Sequence, residues 1–177
     1  MKVSRKEWFY IPNLLTMFRL VTFPIPLWCI ATGHNYIALG LICLGILTDV
    51  LDGYLARRLN QISELGKILD PLSDKLAVAS LAIFLCIYRG FPLWAVILII
   101  ARDLAILIGG LIAMRRNLTI PTSNMLGKLT ALAWSLLLLV YLTPFTLLQQ
   151  ILLVIAAIMV PISFAIYLRT ILRSRTQ

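Results

Sequence analysis

The sequence predicts an all-α, polytopic membrane protein of six transmembrane helices preceded by a short N-terminal interfacial helix, and three observations carry that prediction. Of 177 residues, 61% are hydrophobic and 13% charged, with a mean hydropathy of +0.97, far above what a water-soluble core accommodates. Apolar runs of spanning length recur six times between loop signals. Lys and Arg gather in alternate loops, as membrane topology requires. Six spans of about 20 residues use roughly two thirds of the chain, which implies one membrane domain over residues 1–177 and excludes a separate large soluble catalytic domain.

Each element has its own warrant. Val3 to Tyr10 mixes Arg5, Lys6 and Glu7 with Trp8, Phe9 and Tyr10, the composition of a helix lying at headgroup level. The same opening has no compact apolar region followed by a small-residue cleavage site, so it reads as retained and not as a cleaved signal. The apolar runs then place helices at about Leu14 to Thr32, Tyr36 to Leu55, Leu69 to Tyr88, Leu93 to Met114, Leu126 to Leu142 and Leu147 to Leu168. Breaks carry Gly33, His34 and Asn35; Asn60 to Gly66; Arg89, Gly90 and Pro92; Asn117 to Asn124; and Thr143 with Pro144. His34, the single histidine, reads as a solvated loop residue. Twelve basic residues (Lys2, Arg5, Lys6, Arg57, Arg58, Lys67, Arg115, Arg116, Lys128, Arg169, Arg173 and Arg175) fall on one side, with Arg89 alone on the other. Both termini and the second loop therefore face the cytoplasm.

The net charge of +9, from sixteen Lys and Arg against seven Asp and Glu, fits anionic lipid or a phosphorylated substrate. Nucleic acid is excluded as a partner because no basic helix with interleaved aromatics is present. Cys29, Cys43 and Cys86 lie in apolar runs without CxxC spacing and read as packing residues.

Of the seven acidic residues, Asp49, Asp52, Asp70 and Asp74 fall within one 26-residue stretch at the end of the second span and the start of the third. An aspartate near hydrocarbon costs about 2.5 to 3.5 kcal/mol, so four together require a compensating cation or partner. Spacings of three and four put each pair on one face of its own helix. Like charges so gathered repel unless positive charge sits between them, and hard oxygen ligands suit Mg²⁺ or Mn²⁺, with room for two ions. Gly53, Ala56 and Gly66 leave space for a ligand against the backbone, and Arg57 is one turn from Gly53, placed to fork onto phosphate oxygens. Pro71 predicts that Asp70 lies near a helix N-terminus or a bend. The alternatives are caps and loop charges paired with Arg57, Arg58, Lys67 and Lys75, a carboxylate relay in a small transporter, or a scaffold whose polar residues only fix helix packing.

Written out, Asp49-x2-Asp52-Gly53-x2-Ala56-Arg57-x8-Gly66-x3-Asp70-x3-Asp74 resembles in full the DGxxAR signature of the CDP-alcohol phosphatidyltransferases. The resemblance extends more loosely from IPNLLTMFRL to Ala101-Arg102-Asp103 and Leu126-Gly127-Lys128. It implies transfer of a phosphatidyl group from CDP-diacylglycerol to an alcohol with release of CMP, in a homodimer of six-helix subunits in a bacterial inner membrane. It further implies that Asp49, Asp52, Asp70 and Asp74 hold the metals, that Asp74 doubles as general base, and that Asp52, Gly53, Ala56, Arg57 and Gly66 line the CDP site.

For the acceptor, the opening and the LGK stretch resemble bacterial phosphatidylglycerolphosphate synthases, which use glycerol 3-phosphate. Arg102, Arg115, Arg116 and Lys128 are the available anion ligands. Arg102 alternatively pairs with Asp103 or a metal-site carboxylate, and Arg115 and Arg116 alternatively anchor the interface. Those synthases commonly carry an arginine where this chain has Gly110, and RDLAILIGG is as similar to the cardiolipin synthases of the same family, which use phosphatidylglycerol. An inositol phosphate acceptor is a third possibility.

Overall fold

The computed structural model describes residues 10–58, 64–115 and 125–173. Among them there is no strand, and seven helical segments follow in order: α1 (Ile11–Thr22), α2 (Pro24–Ala31), α3 (Asn35–Arg58), α4 (Glu64–Arg89), α5 (Leu93–Arg115), α6 (Met125–Val140) and α7 (Thr146–Arg173). The expected interfacial helix falls almost entirely outside the described residues, as do the fourth loop and residues 60–63 of the second, whose remaining residues, Glu64 to Gly66, open α4 instead of a loop.

The first expected span is two segments, not one. Pro24 and Pro26 supply no N–H, so the carbonyls two and four residues upstream of Pro24 lose their donors and the helix interrupts at Phe23. The interruption is mild, because Phe23 keeps right-handed helical dihedrals and its N–H still reaches the Arg19 carbonyl at 2.8 Å. α2 then ends abruptly. Gly33 adopts φ 82°, its N–H meets the Ile30 carbonyl at 3.1 Å, and the His34 N–H meets the Cys29 carbonyl at 2.8 Å, which is a Schellman closure. His34 is exposed, as expected of a loop residue, with Nδ1 at 3.0 Å from the Thr32 hydroxyl. Gly90, at φ 70°, and Pro92 make the corresponding stop after α4.

The chain divides into two compact units, Met1–Tyr88 and Arg89–Gln177. In the first, α1 and α2 both pack on α3, around Leu27, Ile30, Ala38 and Ile42, while Leu81, Ala82 and Leu85 are the buried face of α4. In the second, α6 packs along α7. A Cβ added at Gly127 would stand 3.9 Å from the Ser163 hydroxyl, so the two helices lie close there. Phe91 and Tyr141 stack edge to face with centroids 4.8 Å apart, and Trp134, Leu137 and Leu138 of α6 are buried. The Gln149 amide of α7 donates to the carbonyl of Val140, the last residue of α6, at 3.4 Å and to that of Thr143 in the following turn at 2.9 Å.

The outward faces are apolar. Phe18, Val21, Trp28, Tyr36, Val50, Ile87, Leu93, Leu132 and Leu147 are all exposed, a pattern hydrocarbon solvates and water does not. Asn13–Ala31 and Thr146–Ser163 are the two stretches among the described residues long and apolar enough to cross a bilayer. Of the cysteines, Cys29 is buried, Cys86 half-buried and Cys43 exposed, so only the first has the full packing role its apolar run implied.

Candidate functional site

In α1 the usual arrangement of a soluble amphipathic helix is inverted. Leu14, Phe18 and Val21 form an exposed apolar row at intervals of four and three. Asn13, Thr16 and Arg19, at intervals of three, form the opposite row, with Asn13 and Thr16 buried and Arg19 half-buried. Polar groups that cannot face hydrocarbon turn inward and must find partners there.

Thr16 and Arg19 find the aspartates. Arg19 Nη1 is paired with Asp49 Oδ1 on α3, the two side chains being 17% and 45% exposed. The Thr16 hydroxyl donates to Asp70 Oδ1 on α4 at 2.9 Å. The Ser73 hydroxyl donates to the Asp70 carbonyl at 2.9 Å, bracing the backbone of the same residue. Two of the four sequence-predicted carboxylates, one from each of two helices, are thus tied to one short segment of α1. These contacts engage Oδ1 of each carboxylate.

Asp70 and Asp74 are both exposed and one turn apart on α4, as their spacing predicts. Their position along the helix differs from the expectation. α4 begins at Glu64, so Pro71 is the eighth residue and Asp70 the seventh, in the second turn and not at the N-terminus. A proline there removes the donor to the carbonyl four residues back, a loss that membrane helices tolerate where Ser or Thr hydroxyls and neighbouring helices re-satisfy the backbone. Gly66 is buried. The side chains of Asp52, Ala56 and Arg57, and the surroundings of Gly53, lie outside the described residues, and so do the Arg115 side chain and Arg116.

As a donor set, Asp49, Asp70 and Asp74 offer hard anionic oxygens of the kind that Mg²⁺ and Mn²⁺ take, so these residues fit such an ion chemically. Among the described residues no three Asp, Glu, His or Cys side chains stand close enough together to form a metal cluster, and Asp52 is not among those described.

In the second unit Arg102, 12% exposed, pairs with Asp103 at 2.9 Å and donates to the Gly127 carbonyl at 2.8 Å. The pairing with Asp103 is the structural alternative for this arginine. It also latches α5 to the first turn of α6, next to Lys128, which is exposed. The residues that sequence reasoning missed are Thr16 and Arg19, which hold Asp70 and Asp49. Their signal was the three-residue spacing of Asn13, Thr16 and Arg19 in an otherwise apolar helix.

A family model described as CDP-alcohol phosphatidyltransferase matches residues 9–162. The chain is 39% identical over 124 residues to a cardiolipin synthase (CMP-forming) of Streptomyces coelicolor, covering 67% of this chain and 58% of that protein. It is 37% identical over 131 residues to a CDP-diacylglycerol–glycerol-3-phosphate 3-phosphatidyltransferase of Aquifex aeolicus, covering 73% of each. A Bacillus subtilis protein of the same name is 35% identical over 136 residues, covering 68% of this chain and 70% of that one. The matched stretch thus spans little more than half of the Streptomyces relative and over two thirds of the other two.

Proposed function

The chain belongs to the CDP-alcohol phosphatidyltransferase family, and we propose from that premise that it transfers a phosphatidyl group from CDP-diacylglycerol to glycerol 3-phosphate, giving phosphatidylglycerol phosphate and CMP. The observation that carries the reading is the complete signature from Asp49 to Asp74 within the matched residues. The Aquifex and Bacillus relatives support the choice of acceptor.

In the proposed reaction the acceptor hydroxyl oxygen attacks the phosphorus that carries diacylglycerol. A new P–O bond forms, the diphosphate P–O bond breaks, and its electron pair leaves on CMP. Asp74 takes the hydroxyl proton, a role that needs a carboxylate within hydrogen-bond reach of the acceptor. Asp49, Asp52, Asp70 and Asp74 would hold Mg²⁺ or Mn²⁺, two ions in all, which when bound neutralise the diphosphate and the departing CMP. Gly53, Ala56 and Gly66 admit the nucleotide to the backbone, and Arg57 forks onto its phosphates. Lys128, Arg115, Arg116 and Arg102 serve the acceptor phosphate, Arg102 from a side chain already braced by Asp103 and Gly127.

The whole chain acts as one membrane domain of six spans, working as a homodimer in a bacterial inner membrane with both termini and the site cytoplasmic. The apolar outward faces and the one-sided distribution of Lys and Arg support that arrangement.

A second reading, cardiolipin synthesis with phosphatidylglycerol as acceptor, draws on the Streptomyces relative and on Gly110. The two separate in one experiment. Purified chain is given CDP-diacylglycerol, Mg²⁺ or Mn²⁺, and in parallel glycerol 3-phosphate, phosphatidylglycerol or inositol phosphate, with lipid products resolved by mass spectrometry. Phosphatidylglycerol phosphate is the expected product; cardiolipin would select the second reading, and no CMP with any acceptor would end both.

A further inference from the structure

Two of the site's acids are held by side chains that the signature does not contain. Thr16 and Arg19 are three residues apart on α1 and reach different helices: the Thr16 hydroxyl donates to Asp70 Oδ1 at 2.9 Å on α4, and Arg19 Nη1 pairs with Asp49 Oδ1 on α3. The holding groups are well buried, Thr16 at 3% exposure and the Arg19 side chain at 17%, while Asp49 and Asp70 are open. Each contact therefore runs from a confined donor to an accessible acid. A donor confined by its own surroundings restricts the rotamers of the acid it holds.

We propose that Thr16 and Arg19 are positioning residues, a two-pronged clamp on α1 that holds Asp49 and Asp70 by their Oδ1 atoms and so orients both carboxylates for a divalent cation. The inference rests on the proposed metal-dependent reading of the site and deepens it. A carboxylate in water samples many rotamers, and ordering two of them from different helices at the moment of binding costs affinity. A clamp on a third helix removes that cost in advance. Outer ligands of this kind typically change metal affinity or activity 10- to 100-fold when lost. The guanidinium fork suits the task on Asp49, being permanently charged and planar, and lysine does not reproduce it. On Asp70 a hydroxyl suffices, so Ser should replace Thr and Val should not.

The test is Mn²⁺ binding to the purified full chain in detergent, read from the electron paramagnetic resonance signal of free Mn²⁺, beside the melting temperature and the Mn²⁺ concentration that half-activates CMP release. Variants are T16V, T16S, R19K and, as the reference for losing a ligand outright, D49N. R19K keeps the charge, so its effect reports geometry and not electrostatic repulsion of the ion. T16V and R19K are expected to weaken Mn²⁺ binding at least about tenfold and to raise the half-activating concentration in step, with T16S close to wild type. Unchanged Mn²⁺ affinity in T16V and R19K, beside a clear loss in D49N, overturns the clamp and leaves the metal reading standing, whatever happens to the melting temperatures. Wild type that binds no Mn²⁺ overturns both.

Discussion

Cutting the link between α1 and α3 has a calculable cost. The Arg19–Asp49 pair has one confined partner, 17% exposed, and one open partner, 45% exposed. Two unit charges about 4 Å apart at an effective dielectric of about 20 attract by roughly 4 kcal/mol before desolvation and side-chain ordering are charged against them. Fully exposed pairs retain about 0.2–1 kcal/mol, and breaking a buried pair by removing one partner costs about 3–5 kcal/mol. With half of Asp49 open to solvent, the net coupling belongs between these, at about 1–2 kcal/mol. A double-mutant cycle over R19Q, D49N and R19Q/D49N measures it, using equilibrium unfolding in mixed detergent micelles with EDTA present so that no cation intervenes. Each single variant should lose about 1–2 kcal/mol, and the double variant little more than either alone. Losses that simply add, to within about 0.5 kcal/mol, would refute a direct interaction between these side chains.

Three further outcomes follow from the same coordinates. Leu137→Ala, at a fully buried position in α6, should cost about 2 kcal/mol in micelle unfolding through the cavity it leaves, whereas Leu147→Ala, 71% exposed on α7, should cost under about 0.5 kcal/mol. Arg102→Ala should destabilise the α5–α6 latch by about 2 kcal/mol and raise the KM for the acceptor more than that for CDP-diacylglycerol; an equal rise in both would contradict an acceptor role. Dialysis against EDTA should stop CMP release, and Mg²⁺ or Mn²⁺ should restore it to the dialysed protein; full activity after chelation would remove the cation from the account.

What was legible in the sequence was what is expensive in a membrane. Asp49, Asp52, Asp70 and Asp74 stand out because unpaired carboxylates near hydrocarbon are costly, and the four-residue spacing already assigns Asp70 and Asp74 to one helix face. Helix existence was legible for the same reason that apolar runs are. Boundaries were not: averaging hydropathy over Leu14 to Thr32 hides that Pro24 and Pro26 withhold two donors, so one expected span is two segments. Pro71 misled in the other direction, since a proline marks a first turn in water but sits just past the second turn of α4 here. Thr16 and Arg19 carried no legible role because their partners are remote. Arg19 meets a residue 30 positions away and Thr16 one 54 positions away, and no local spacing encodes such pairings.

The most direct test of the central claim, that the aspartates of α3 and α4 gather cations to cleave CDP-diacylglycerol, is CMP release as Mn²⁺ is titrated into wild type and D74N with glycerol 3-phosphate present. Wild type should release CMP along a saturating Mn²⁺ curve, with D74N slower by at least about 10²-fold at every concentration while still binding CDP. Release by D74N at the wild-type rate, or by wild type regardless of Mn²⁺, would contradict the account.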